Sequence, residues 1–173
     1  EVIVDTLNIF EEYEVKCTLF CTHDSEAIKK CNRDLFEIAI HPNFNTNLFQ
    51  NNGDSPLEKI NHLLEVFPEA RGVRSHSLIT SPILSDLFSN NGLEYESNYL
   101  IPYSDKIELF KLWNGIISIP INWEDNIHFY YKHPFDNLRI DINKNLLNVF
   151  NFHPIHIFLN TNNNLTYNNA KQH

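Results

Sequence analysis

The sequence predicts an α/β fold in which parallel strands alternate with helices, arranged as a barrel or a doubly wound sheet. Three observations carry this. Short apolar runs at residues 16–21, 36–40, 72–75 and 93–97 alternate with helix-start signals at Ser25, Ser55 and Ser81, and the links are short enough for right-handed crossovers. The chain has 173 residues, 42% of them hydrophobic and 13% aromatic, which is the length of one domain with a sizeable core. Finally, strand-like runs deliver histidine at their ends in Ile40-His41-Pro42, Arg74-Ser75-His76 and Phe152-His153-Pro154-Ile155-His156. Carboxyl ends of strands are where such folds place their chemistry.

Taken in order, residues 1–13 space Val2, Ile3, Leu7, Ile9 and Phe10 as a helix does. Residues 16–21 form a strand with Cys17, Leu19 and Cys21 on one face, and Asp24 or Ser25 caps a helix running to about Asn32. After the strand that ends at His41, the Asn-rich stretch 43–54 is too polar for a regular element and reads as a long functional loop. Ser55-Pro56-Leu57-Glu58 is a capping box with proline in the first turn, and Leu57, Ile60, Leu63, Leu64 and Phe67 form the core stripe of its helix. Residues 72–75 are the third strand. Ser81-Pro82 opens a helix that Asn91-Gly92 stops, and residues 93–97 are the fourth strand. Residues 110–113 and 115–121 read as strands around Asn114-Gly115, followed by a polar loop from Trp123. Residues 133–145 have no clear period, residues 149–152 are the last strand, and the stretch after Leu159 has little to bury.

Composition narrows the function. A net charge of −9 with no Lys/Arg cluster excludes nucleic acid as the main partner and weakly disfavours a strongly anionic polymer. No apolar run has the length of a membrane span, and no signal-peptide pattern opens the chain. Cys17, Cys21 and Cys31 are odd in number and lack CxxC spacing, so they read as buried free thiols in a reducing, cytoplasmic environment. There is no GxSxG elbow, and four glycines supply no phosphate-cradling loop. A single strand-end histidine usually does no more than hydrogen-bond a loop. Three such segments point instead to a metal or acid/base site, and hydrolysis with a metal ion that activates water is the most economical use of them. Aromatic residues such as Phe44, Trp113 and Trp123 would suit sugar faces.

The segments Lys16-Cys17-Thr18-Leu19-Phe20-Cys21-Thr22-His23-Asp24, Glu37-Ile38-Ala39-Ile40-His41-Pro42-Asn43, Val73-Arg74-Ser75-His76-Ser77-Leu78, Trp123-Glu124-Asp125 and Phe152-His153-Pro154-Ile155-His156 resemble the polysaccharide deacetylases of carbohydrate esterase family four. They are most similar to the WbmS-type branch associated with bacterial surface-polysaccharide gene clusters. The resemblance implies a distorted (β/α) barrel and a divalent metal, zinc first, that serves removal of acetyl groups from carbohydrate. His41 matches the first metal-binding histidine. The second would fall at Asn45, and His76 on another strand is the candidate replacement. Arg74 resembles the arginine that orients the catalytic carboxylate, and His153 the general acid. Trp123 and Asp125 fall in the segment that lines the substrate groove and restrains that acid. Asn43, Asn45 and His156 complete the candidate substrate contacts.

The family's first motif, an Asp pair ending the first strand that supplies the catalytic base and a metal ligand, would precede residue 1, so the resemblance implies a deacetylase whose base motif is missing from this chain. The resemblance therefore implies a domain over residues 1–161 lacking its first strand, with residues 162–173 as a frayed tail. Two other readings stand beside the deacetylase: a catalytically inactive carbohydrate-binding relative, and a different metal-dependent amidohydrolase using His41, His76 and His153.

Overall fold

The computed structural model describes residues 2–49, 53–133, 146–162 and 164–170. They group into two compact units, the first made of Glu1–Val15, Leu100–Ile107 and Ile121–His173, the second of Lys16–Tyr99 and Glu108–Pro120.

The second unit is the predicted βα alternation. Strands β1 (Cys17–Cys21) and β2 (Phe36–Ile40) pair in parallel with Leu19 opposite Ile38. Inward residues of both are buried, and Thr18 on the other face donates to Glu37 at 2.8 Å. Between them Ser25 caps α2 (Glu26–Lys30), shorter than the run to Asn32 that the sequence suggests. Strands β3 (Gly72–Val73) and β4 (Tyr95–Glu96) continue the parallel ladder. Gly72 is required by close approach: the Tyr95 ring opposite it stands where a Cβ would be. The hairpin of β5 (Phe110–Lys111) and β6 (Ile117–Ser118) completes the order β1-β2-β3-β4-β6-β5, in which β6 is parallel to β4 and β5 is the antiparallel edge. Trp113, expected within a strand, lies in the turn and is exposed. Among the described residues no ladder joins β5 back to β1, and the fold is mixed α/β.

Further helices connect these strands. Helix α4 (Pro56–Val66) starts on the predicted capping box, with the Ser55 side chain accepting from Glu58 N–H and the Glu58 carboxylate from Ser55 N–H. Its stripe buries Ile60 and Leu63, but Leu57 is exposed, because the first turn projects beyond the core. Helix α5 (Pro82–Asn90) starts at Ser81 as predicted, and Gly92 follows at φ +81. The Asn-rich stretch is not simply a loop. It carries α3 (Asn45–Phe49), begun by Asn43 Oδ1 accepting from Asn45 N–H and anchored beneath by fully buried Phe44. Lys59 on α4 braces it, its ammonium donating to Asn43 O, Thr46 Oγ1 and Asn47 Oδ1.

The first unit holds α1 (Val2–Glu12), which packs against α7 (Pro154–Phe158). Strands β7 (Trp123–Glu124) and β8 (Phe150–Asn151) pair in parallel. The polar stretch at Trp123 is a strand leading directly into α6 (Asp125–Tyr130), and not a loop, because Trp123, Asp125, His128 and Phe129 all turn inward. Asn164–Ala170, predicted to fray, form α8, and Tyr167 on it sets its ring 4.7 Å from that of His156. Residues 134–145 of the aperiodic stretch lie outside the described residues.

Candidate active site

The candidate residues fall into two groups, one in each unit. In the second unit, β2 ends at Ile40 and the chain continues through His41, whose N–H donates to Cys21 O on β1. Ile40 pairs with Val73, so the residues after β3 rise beside those after β2. His76 N–H donates to Pro42 O at 2.9 Å, and the His41 and His76 rings stand 5.7 Å apart, nearly perpendicular. His41 is half-buried and His76 exposed. Asn45 joins the same neighbourhood: its side-chain amide donates to Ser77 Oγ at 3.4 Å. Asn43 is exposed, with its Oδ1 committed to the start of α3.

Arg74, one residue beyond β3, is buried and lies 4.2 Å above the Phe20 ring. Its Nε donates to Ser97 O and its Nη2 to Ser97 Oγ at 2.7 Å, while Ser97 Oγ–H reaches Ile119 O. The guanidinium thus ties the carboxyl ends of β3, β4 and β6 together. Burial pushes the Glu96 carboxyl above its ordinary value, a rise opposed by the hydrogen bond from Asn98.

In the first unit, Asp125 and His153 follow β7 and β8, whose parallel pairing brings residues 28 apart in sequence together. Asp125 is 1% exposed, and its carboxylate accepts from His153 Nδ1 at 2.5 Å, His153 N–H at 2.6 Å and Asn126 N–H at 2.7 Å. This fixes the imidazole's position through its Nδ1 edge, while Nε2 lies 3.4 Å from the Asn126 amide nitrogen. The Asn126 amide lies against the His153 ring at 3.3 Å and accepts from His156 Nε2 at 2.8 Å. His156, buried, also meets Thr161 Oγ1 through Nδ1, so it supports this arrangement from inside. Trp123 is 2% exposed among His128, Phe150 and Phe152 and has no free face for a sugar; Phe44 is likewise enclosed. Both corrections have one cause: these aromatic residues fill the core beneath the rim. Phe152, which sequence reasoning passed over, stacks on Trp123 at 5.0 Å and is 43% exposed.

Two places bring imidazole donors together. Asp125, His153 and His156 bring one donor atom each within 4.8 Å of one another. Their donors, however, already bond to each other, to Asn126 or to Thr161, which is the arrangement of a held acid. His41 and His76 supply two further imidazoles at neighbouring strand ends. Two imidazoles on a tetrahedral zinc, with Zn–N of about 2.0–2.1 Å, hold their centroids roughly 5 Å apart, close to the spacing found here. The cysteines do not contribute, for burial pushes the Cys17 and Cys21 thiols up to about 12.

The sequence aligns with the WbmS-like polysaccharide deacetylases over residues 1–171, and the chain belongs to that family. Its structure is similar to that of WbmS from Bordetella bronchiseptica, provisionally assigned as a polysaccharide deacetylase involved in O-antigen biosynthesis. The two share 30% identity with a TM-score of 0.92 over 99% of this chain and 73% of that one. A provisionally assigned polysaccharide deacetylase from Mycobacterium smegmatis is similar in fold alone, at 17% identity and a TM-score of 0.61, over 99% of this chain and 69% of that one. No curated protein sequence matches. No helix among the described residues is long and apolar enough to cross a membrane.

Proposed function

We propose that this chain is a metal-dependent hydrolase, built on a distorted (β/α) barrel, that removes acetyl groups from a bacterial surface polysaccharide or its amino-sugar precursor in the cytoplasm. The observation that carries the reading is the Asp125–His153 pair in a member of this family. His41 and His76 would hold a divalent ion, zinc first, which when bound polarises the acetyl carbonyl and activates water.

The family resemblance assigns His153, held by Asp125, as the acid that gives a proton to the leaving oxygen or nitrogen as its bond to the acetyl carbon breaks; the water oxygen bonds to that carbon, and the water's proton passes to the carboxylate base that the family supplies from its first motif. Arg74 keeps the strand ends in register around its buried guanidinium. Asn43 and Asn45 are the polar contacts for sugar hydroxyls, and Phe152 is a better apolar face than Trp123 because it is exposed. The likeness to the Bordetella protein favours an O-antigen-type polysaccharide as substrate.

One observation favours a second reading, an inactive carbohydrate-binding relative: Asn45 stands where the family has its second metal-binding histidine. Acetate release from an N-acetylated amino-sugar oligomer, with and without a chelator, separates the two. Chelator-sensitive release supports the hydrolase. Sugar binding with no release at any metal concentration refutes it.

A further inference from the structure

His76 sits on an unusual turn. Residues His76–Leu78 form a single 3₁₀ turn in which Ser77 (φ 57) and Leu78 (φ 54) both adopt the left-handed conformation, disfavoured for residues with a Cβ. Such a turn persists only where its surroundings fix it. Ser75, immediately before it, is fully buried, and its N–H donates to Asn98 Oδ1 at 2.7 Å. Asn98 is buried too, and its Nδ2 donates to Glu96 Oε2 at 3.0 Å. A side-chain amide has one accepting and one donating end, so the bond to Glu96 dictates which end faces Ser75. Glu96 itself is 0% exposed on a central strand, beside Ser118. No substrate can reach it there, and its role in the site must be exerted through Asn98.

We propose that Asn98 and Glu96 are positioning residues that hold the Ser75–Leu78 turn, and with it the His76 imidazole, ready for a divalent metal ion. The proposal rests on the reading of His76 as a metal ligand. Outer partners of this kind typically change metal affinity by about 10–100-fold when removed.

The test is zinc binding to the whole chain by calorimetry, together with amide hydrogen exchange of the apo protein. Asn98→Ala is expected to weaken zinc binding at least about tenfold, with loss of protection at the Ser75 amide. Glu96→Leu should do the same, whereas Glu96→Gln, whose amide oxygen can still accept from Asn98, should retain most of the affinity. His76→Ala is measured alongside, as is the double variant with Asn98→Ala. Loss of affinity in His76→Ala with no further loss in the double variant supports the proposal, because the two residues then act through one ligand. Unchanged zinc affinity in His76→Ala removes the underlying ligand reading. Lowered affinity in His76→Ala with unchanged affinity in Asn98→Ala overturns the positioning role alone. Where Asn98→Ala fails to fold, Glu96→Leu and Glu96→Gln decide the matter by the same comparison.

Discussion

Replacing Asp125 by asparagine tests the acid most directly. The native carboxylate is enclosed and receives three hydrogen bonds, two from backbone N–H groups and one from the His153 ring. Asparagine keeps the volume and one accepting oxygen, so one partner loses its acceptor and the negative charge is gone. A hydrogen bond to a charged group contributes about 1.5–3 kcal/mol, and the fold should therefore weaken by a few kcal/mol at most. Turnover should suffer more, since placing a general acid typically contributes about 10²–10⁴-fold. The loss should depend on the leaving group. A nitrophenyl acetate releases a stable anion that needs little protonation, while an acetamido sugar must receive a proton on nitrogen. Asp125→Asn and His153→Gln should thus lose about 10²-fold or more on the acetamido oligomer and far less on the activated ester, with urea unfolding showing that both variants remain folded. Equal losses on the two substrates, or a folded Asp125→Asn with native turnover on the oligomer, would refute the acid assignment.

Three further outcomes follow from other parts of the molecule. His41→Ala should lower zinc affinity by more than about tenfold with little change in thermal stability, as the half-buried ring fills little core; global unfolding on that change would make the residue structural. Lys59→Met removes the donor to three oxygens around α3 and should cost about 1–3 kcal/mol in urea unfolding, with faster hydrogen exchange confined to residues 43–49. For Glu96, burial raises the folded-state value above the ordinary 4.5, so the folded chain takes up that proton more readily than the unfolded one. The resulting stabilisation is complete below the ordinary value and is lost as pH rises through the folded-state value. Glu96→Gln, which cannot titrate, should gain in stability relative to the native chain as pH rises toward neutrality; a constant difference across the range would contradict this.

The parts of the fold legible in the sequence are those set by neighbouring residues. Ser55-Pro56-Leu57-Glu58 and Ser81-Pro82 start α4 and α5 where predicted, because a capping side chain reaches only its own first turn. The apolar runs became β1 and β2 because their inward positions, Leu19 and Cys21 on one and Phe36, Ile38 and Ile40 on the other, are apolar and buried. Among the missed helices, α3 and α6 carry weak local signals: one is Asn-rich and braced by Lys59 from α4, the other is turned inward on a buried aspartate and a buried histidine.

For the site, the sequence alone offered the candidate residues and placed them at strand ends, since proline after His41 and His153 ends each run. Which of them meet was decided by strand pairing. The Ile40–Val73 register brings His76 to His41, and the Trp123–Phe150 register brings Asp125 to His153. Burial settled the rest, enclosing Trp123 and Phe44 while leaving Phe152 at the surface. Register and burial depend on how distant segments share one interior, so no reading of neighbours along the chain can supply them.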